Sequence, residues 1–81
     1  MFTYYPSGVC SQMIEIELDG DIIKDVVFTG GCHGNLQAVS RLVVGLTTDQ
    51  AIERLEGIRC GFKPTSCPDQ LAKALRAARG E

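Results

Sequence analysis

The sequence predicts an α+β fold: a small antiparallel sheet of two to three strands followed by three helices packed on one of its faces. Three observations lead there. Apolar and acidic residues alternate through Ile14, Glu15, Ile16, Glu17 and Leu18, the period of a half-buried strand. The turn signal Asp19-Gly20 follows at once, and a second apolar run follows it. From Asn35 onward the apolar spacing becomes helical, in three stretches punctuated by glycine. Strands first and helices afterwards mark an α+β chain rather than an alternating one. With 81 residues and no repeat or linker, residues 1–81 form one domain.

The segment "MIEIELDGDIIKDVVF" is the hairpin. A two-residue turn with regular pairing would set Ile14 against Asp25. A three-residue loop, Asp19 to Asp21, sets Ile14 against Val26 and Leu18 against Ile22, which keeps apolar residues on one face. The three-residue loop is therefore expected, although it leaves Lys24 opposite Ile16. "FTYY" near the start is expected to add a third strand. Leu36, Val39, Val43 and Leu46 give the first helix its stripe, with Gly45 at its C-terminal cap. "TTDQAIERLEG" is the second helix. Thr47 and Gln50 fit a capping box, Ala51, Ile52 and Leu55 face inward, and Gly57 ends it. "SCPDQLAKALRAARG" is the third, with Leu71, Ala74, Leu75 and Ala78 on one face. Pro68 suits its first position, which makes Ser66 or Cys67 the N-cap. Asn35 is expected to cap a helix, and Tyr4, Tyr5 and Phe62 to be core or rim residues.

Composition narrows the function. Hydrophobic residues make up 44% of the chain, ordinary for a globular domain. The net charge of −2 argues against nucleic acid as a partner, since phosphate binding needs a basic patch. Acidic residues gather early and basic ones late, which reads as two solvated faces. No apolar run approaches the ~20 residues of a membrane span, so no membrane partner is expected. "MFTYYPSG" has neither the basic segment nor the apolar run of a signal peptide, so a reducing, cytoplasmic setting is expected. So small a domain often gains stability from a metal, a disulfide or a second subunit, and a homodimer is one expectation.

The four cysteines carry the chemistry. Cys10, Cys32, Cys60 and Cys67 follow the spacing C-x21-C-x27-C-x6-C, which is no zinc-finger pattern. Their positions say more. Cys10 precedes the first hairpin strand and Cys32 follows the second, so the hairpin returns them to one end. Cys32 and Cys67 both stand at helix starts, where unpaired N–H groups stabilise thiolates. Cys60 lies in the loop leading to Cys67. All four are therefore expected to meet at one end of the sheet and to hold zinc or an iron–sulfur cluster. Gly30, Gly31 and Gly34 are expected to let the backbone approach sulfur, and Gly61 to do so beside Cys60. Gly31, His33 and Gly34 are the expected neighbours of the bound group, His33 through solvent or by supporting a ligand. Four thiolates around a divalent zinc leave a formal charge of about −2, which N–H groups, Arg59 and Lys63 would offset.

The segments "GVCS", "GGCHGNLQAVSRLVVG", "GIRCG" and "TSCPDQLAKAL" together resemble the small bacterial proteins named for the motif Thr65-Ser66-Cys67-Pro68-Asp69, the TSCPD family. The resemblance spans nearly the whole chain. A related domain lies at the C-terminal end of adenosylcobalamin-dependent ribonucleotide reductases. The resemblance therefore implies a ribonucleoside-diphosphate reductase label for the kin and an accessory redox role for a chain too short to hold the radical-bearing barrel. In that role Cys60 and Cys67 would exchange a disulfide with a ribonucleotide reductase. The order hairpin, Gly-Cys, helix, Gly, helix, Cys is more distantly similar to the IscU/NifU iron–sulfur cluster scaffolds. Cys10, Cys32 and Cys67 fall where those place their three cysteines. That likeness implies a sulfur or cluster carrier served by a cysteine desulfurase. Two departures stand out: Gln12 replaces the scaffolds' Asp, and Ser66 replaces their His. With Cys60 added, they imply a less labile four-thiolate site.

Overall fold

The computed structural model describes residues 1–81. Its elements are strands β1 (Phe2–Tyr4), β2 (Ser11–Asp19) and β3 (Ile22–Gly30), then helices α1 (His33–Val43), α2 (Thr48–Leu55) and α3 (Cys67–Ala78). The strands form one antiparallel sheet in the order β1-β2-β3. The α+β expectation is met, "FTYY" supplies the third strand through Phe2–Tyr4, and no helix is long and apolar enough to cross a membrane.

The helices cover one face of the sheet. Ile14, Ile16, Ile23 and Val26 meet Val43, Ala51, Ile52, Leu71, Ala72, Ala74 and Leu75 in a single core. The other face carries Glu15, Glu17 and Asp25, with Glu17 directly opposite Asp25. Solvent screens these like charges.

The hairpin differs from the expected three-residue loop. Asp19 pairs with Ile22, so Gly20 and Asp21 alone make the turn. Gly20 has φ 59° and no non-glycine residue has positive φ, which fits a type II′ turn. The facing partner of Ile14 is Phe28, of Ile16 Val26, and of Leu18 Ile23. Between Glu17 and Leu18 the register shifts by one, and Lys24 is the extra residue. A bulge thus removes the mismatch of Lys24 against Ile16 and returns apolar residues to the core face on both sides of it.

The helix caps largely follow the sequence. Thr47 and Gln50 make a reciprocal capping box, at 3.1 and 3.0 Å. Ser66 caps α3, Cys67 is its first residue and Pro68 its second. Helix α1 starts earlier than Asn35: Cys32 is its N-cap residue and makes no side-chain cap bond, and Asn35 lies inside the helix. Beyond α1, Gly45 has φ 91° and its N–H donates to Ile23 O at 2.9 Å, while Ile23 N–H donates to Leu46 O. The helix exit is thereby laced to the start of β3. Along the rest of that strand, a groove of about 330 Å³ separates Val27 and Phe28 from the side of α1 that carries Leu36 and Ser40, and no cysteine lines it.

Candidate functional site at the sulfur end

A second bulge builds the end of the sheet that carries the cysteines. Ser11 pairs with Gly30 and Met13 with Thr29, so Gln12 is an extra residue in β2. Counting back by twos from Ile16 and Ile14 would bury Gln12 and expose Ser11. The bulge reverses this, leaving Ser11 3% exposed and Gln12 at the surface. Ser11 is thereby aimed at the start of α3, where its Oγ and Cys67 Sγ are hydrogen-bonded at 3.2 Å.

The glycine corner fits around the same point. Gly30 and Gly31 both have φ 81°, a left-handed conformation that L side chains rarely adopt. A Cβ on Gly31 would stand 2.8 Å from Leu36 Cδ1, 3.3 Å from Ser11 N and 3.4 Å from Cys10 Sγ. The Cys10 sulfur therefore rests over Gly31, one residue before Cys32. Ser11 ties this corner to α3: it is next to Cys10 in sequence, pairs with Gly30, and is bonded to Cys67. Cys10, Cys32 and Cys60 are exposed and Cys67 is buried, all with free thiols.

The motif at residues 65–69 is a hydrogen-bonded knot. Asp69, 5% exposed, accepts from Gly57 N–H at 2.7 Å and from the Thr65 hydroxyl. Ser66 Oγ accepts from Asp69 N–H at 3.2 Å and donates to Ile58 O at 2.6 Å. Gln70 Nε2 donates to Thr65 Oγ1 at 3.0 Å, and Gln70 Oε1 accepts from Ser7 N–H at 3.3 Å. No buried side-chain nitrogen or oxygen lacks a partner. Burial alone would raise the Asp69 carboxyl, but the Thr65 and Gly57 hydrogen bonds and the nearby Lys73 charge more than reverse this and hold it below the usual carboxylate range. The knot pins the end of α2, the loop 57–66 and the approach to β2 onto the first turn of α3. It fixes where Cys67 stands.

The remaining expected site residues fall differently. Gly34 has no positive φ, and a Cβ there would meet nothing within 4 Å. It occupies an ordinary place in the first turn of α1 and permits no approach to sulfur. Gly61 has φ 60° but also stands in open space. The exposed His33 ring is hydrogen-bonded through Nε2 to Gln37 Nε2 at 2.8 Å. Cys60 N–H donates to Thr65 O at 3.2 Å, which ties its backbone to the motif. Phe62 and Tyr5 are neither core nor rim: Phe62 stands wholly free and Tyr5 is mostly exposed. Ser11 and Asp69 are the site residues that sequence reasoning missed.

The side chains as placed form no group of three or more His, Cys, Asp or Glu able to hold an ion. The gathering of all four thiolates at one point is therefore a matter for proposal.

The TSCPD domain family matches this chain over residues 2–79. No curated protein and no solved structure gives a significant match.

Proposed function

The chain belongs to the TSCPD domain family, and from the sulfur geometry of that domain we propose that it is a metal-binding module in which Cys10, Cys32, Cys60 and Cys67 hold zinc or an iron–sulfur cluster. The observation that supports this reading is the convergence of three chain segments at Ser11, which adjoins Cys10, pairs with Gly30 two residues before Cys32, and is bonded to Cys67 Sγ. Exposure supports it too. An inert cysteine is usually a buried apolar residue, yet three of these four are exposed.

The chain's own residues each have a part. Gly31 leaves room for Cys10 Sγ, Ser11 orients Cys67, and the knot at 65–69 holds the first turn of α3 against the loop that bears Cys60. A bound ion would add the Lewis acidity that keeps the thiols deprotonated, each releasing its proton to solvent on binding. Such a site is suited to the reducing cytoplasm. The likeness to IscU/NifU scaffolds is part of this proposal, supported by three cysteines on the corresponding strand and helix ends.

The experiment is purification without oxygen, followed by elemental analysis and an absorption spectrum. One zinc per chain, or iron with matching sulfide, is expected. Cys10→Ser, Cys32→Ser and Cys67→Ser should each lose stoichiometric metal while keeping the fold. A folded, fully reduced chain that arrives without metal and takes up neither zinc nor a cluster on reconstitution overturns the reading.

A further inference from the structure

We infer that the free edge of β3 is an interface between two copies of this chain, which pair antiparallel about a two-fold axis through Val27. No cysteine and no bound ion takes part. The two edges of the sheet differ. Strand β1 is three residues long and soon gives way to Pro6, so it offers little to a further strand. Strand β3 is nine residues long, contains no proline and forms the opposite edge. Only its start is covered: Ile23 N–H donates to Leu46 O and Ile23 O accepts from Gly45 N–H, each at 2.9 Å. From Lys24 to Gly30 no backbone group bonds outside the ladder with β2. Such a row of outward N–H and C=O groups is satisfied along its length by another extended chain.

The strand's own sequence suits a second copy of itself. A two-fold axis normal to the sheet pairs residues of the same face, so one residue must lie on the axis. Centred on Asp25, the pairing would oppose two carboxylates and require the covered Ile23. Centred on Val26, it would set Asp25 against the partner's Val27. Centred on Phe28, it would reach only residues 26–30. Centred on Val27, it uses all of residues 24–30 and joins compatible side chains. On the open face Val27, 41% exposed, meets the partner's Val27, and Asp25 meets the hydroxyl of the partner's Thr29. On the helix face Val26 meets the partner's Phe28. Val26 and Phe28 already line the groove beside α1 with Leu36 and Val44, so the partner's Phe28 extends an apolar lining. Two three-stranded sheets become one of six strands, with only the short β1 strands at its edges.

Sedimentation equilibrium of the reduced chain, from about 1 μM to about 1 mM, is expected to show reversible dimerisation. Val27→Lys should weaken it about tenfold or more, because two ammonium groups then face each other on the axis. Within one copy residue 27 is exposed and faces Glu15, so the fold should be kept, as circular dichroism will show. Val27→Glu should weaken it likewise, and an equimolar mixture of the two variants should recover the dimer as opposite charges meet on the axis. All four cysteines remain in each variant, so association through sulfur would survive Val27→Lys. A chain that stays monomeric at about 1 mM overturns the pairing and leaves the edge to a strand of another protein. A dimer indifferent to Val27→Lys, or a mixture that recovers nothing, overturns it as well.

Discussion

Gly31 and Gly34 stand in the same corner, and substitution should move stability in opposite directions. At Gly31 an added methyl meets Leu36 Cδ1 at 2.8 Å and forces an L residue to φ 81°. The left-handed backbone costs about 1–2 kcal/mol, and displacement of the Leu36 side chain adds to it. Gly31→Ala should therefore lose about 2 kcal/mol or more in urea unfolding. Gly34→Ala, in a helix and in open space, should gain about 0.5 kcal/mol. Equal effects at the two positions would mean that the corner is not built this way. Asp69 is the other decisive residue. Its two carboxylate oxygens receive Gly57 N–H and the Thr65 hydroxyl, and Thr65 Oγ1 already accepts from Gln70. In Asp69→Asn the new amide nitrogen must face a donor, and a loss of about 2 kcal/mol at neutral pH is expected. The sign of the pH effect follows from the lowered carboxyl. Its contribution is complete above the unfolded carboxyl's pKa of about 4 and fades as pH falls through the folded value. Acid unfolding of Asp69→Asn should accordingly show a shallower loss of stability below about pH 4 than the parent.

The elements themselves are plain in the sequence, because alternation, capping residues and glycine stops act locally. Thr47 and Gln50 predict their capping box, and Ser66 its cap, from side chains that reach only a few residues along the chain. Thr47→Ala should cost about 1 kcal/mol, measurable by thermal or urea unfolding. The two bulges are not legible. Nothing about Gln12 or Lys24 marks an extra residue. Each is fixed by the need to keep apolar side chains, or Ser11, facing the helices across the sheet. The hairpin loop departs from expectation for the same reason, since a regular ladder demands three residues where a bulged one needs two. The sulfur end is legible only as far as topology carries it: the hairpin returns Cys32 to Cys10, but the hydroxyl between Cys10 and Cys67 depends on the bulge at Gln12. Deleting Gln12 leaves Ser11 two residues before Ile14, on the core face without a bulge, so its bond to Cys67 Sγ and the alkylation rate of Cys67 should be retained. Ser11→Ala, which removes the partner of Cys67 Sγ, should accelerate native-state alkylation of Cys67 relative to the parent.

At the scale of the whole molecule, the question is whether the fold would need the metal proposed for the sulfur end. The core draws on β2, β3 and all three helices, and it contains no cysteine. Cys67, the one buried thiol, lies outside that cluster beside Ser11. Independent ties hold the helices in place without sulfur: Ile23 and Leu46 lace α1 to the sheet, and Arg76 grips Glu56 through both its Nε and Nη2 at 3.0 Å. The metal-free chain should therefore keep its secondary structure, unlike a zinc finger, which unfolds without its ion. It should nonetheless be marginal, because a domain this small buries a modest share of its surface. Binding to the folded state alone then raises stability by mass action, about 2.7 kcal/mol when free zinc is a hundredfold above Kd. For a domain of this length that is a rise in Tm of roughly 10–20 °C. Far-UV circular dichroism with and without a chelator, at a temperature well below both transitions, separates the two cases. Unchanged helix and strand signal with a lower Tm is expected on chelation. A cooperative loss of structure would show instead that the sulfur end, and not the isoleucine and leucine core, holds the chain together.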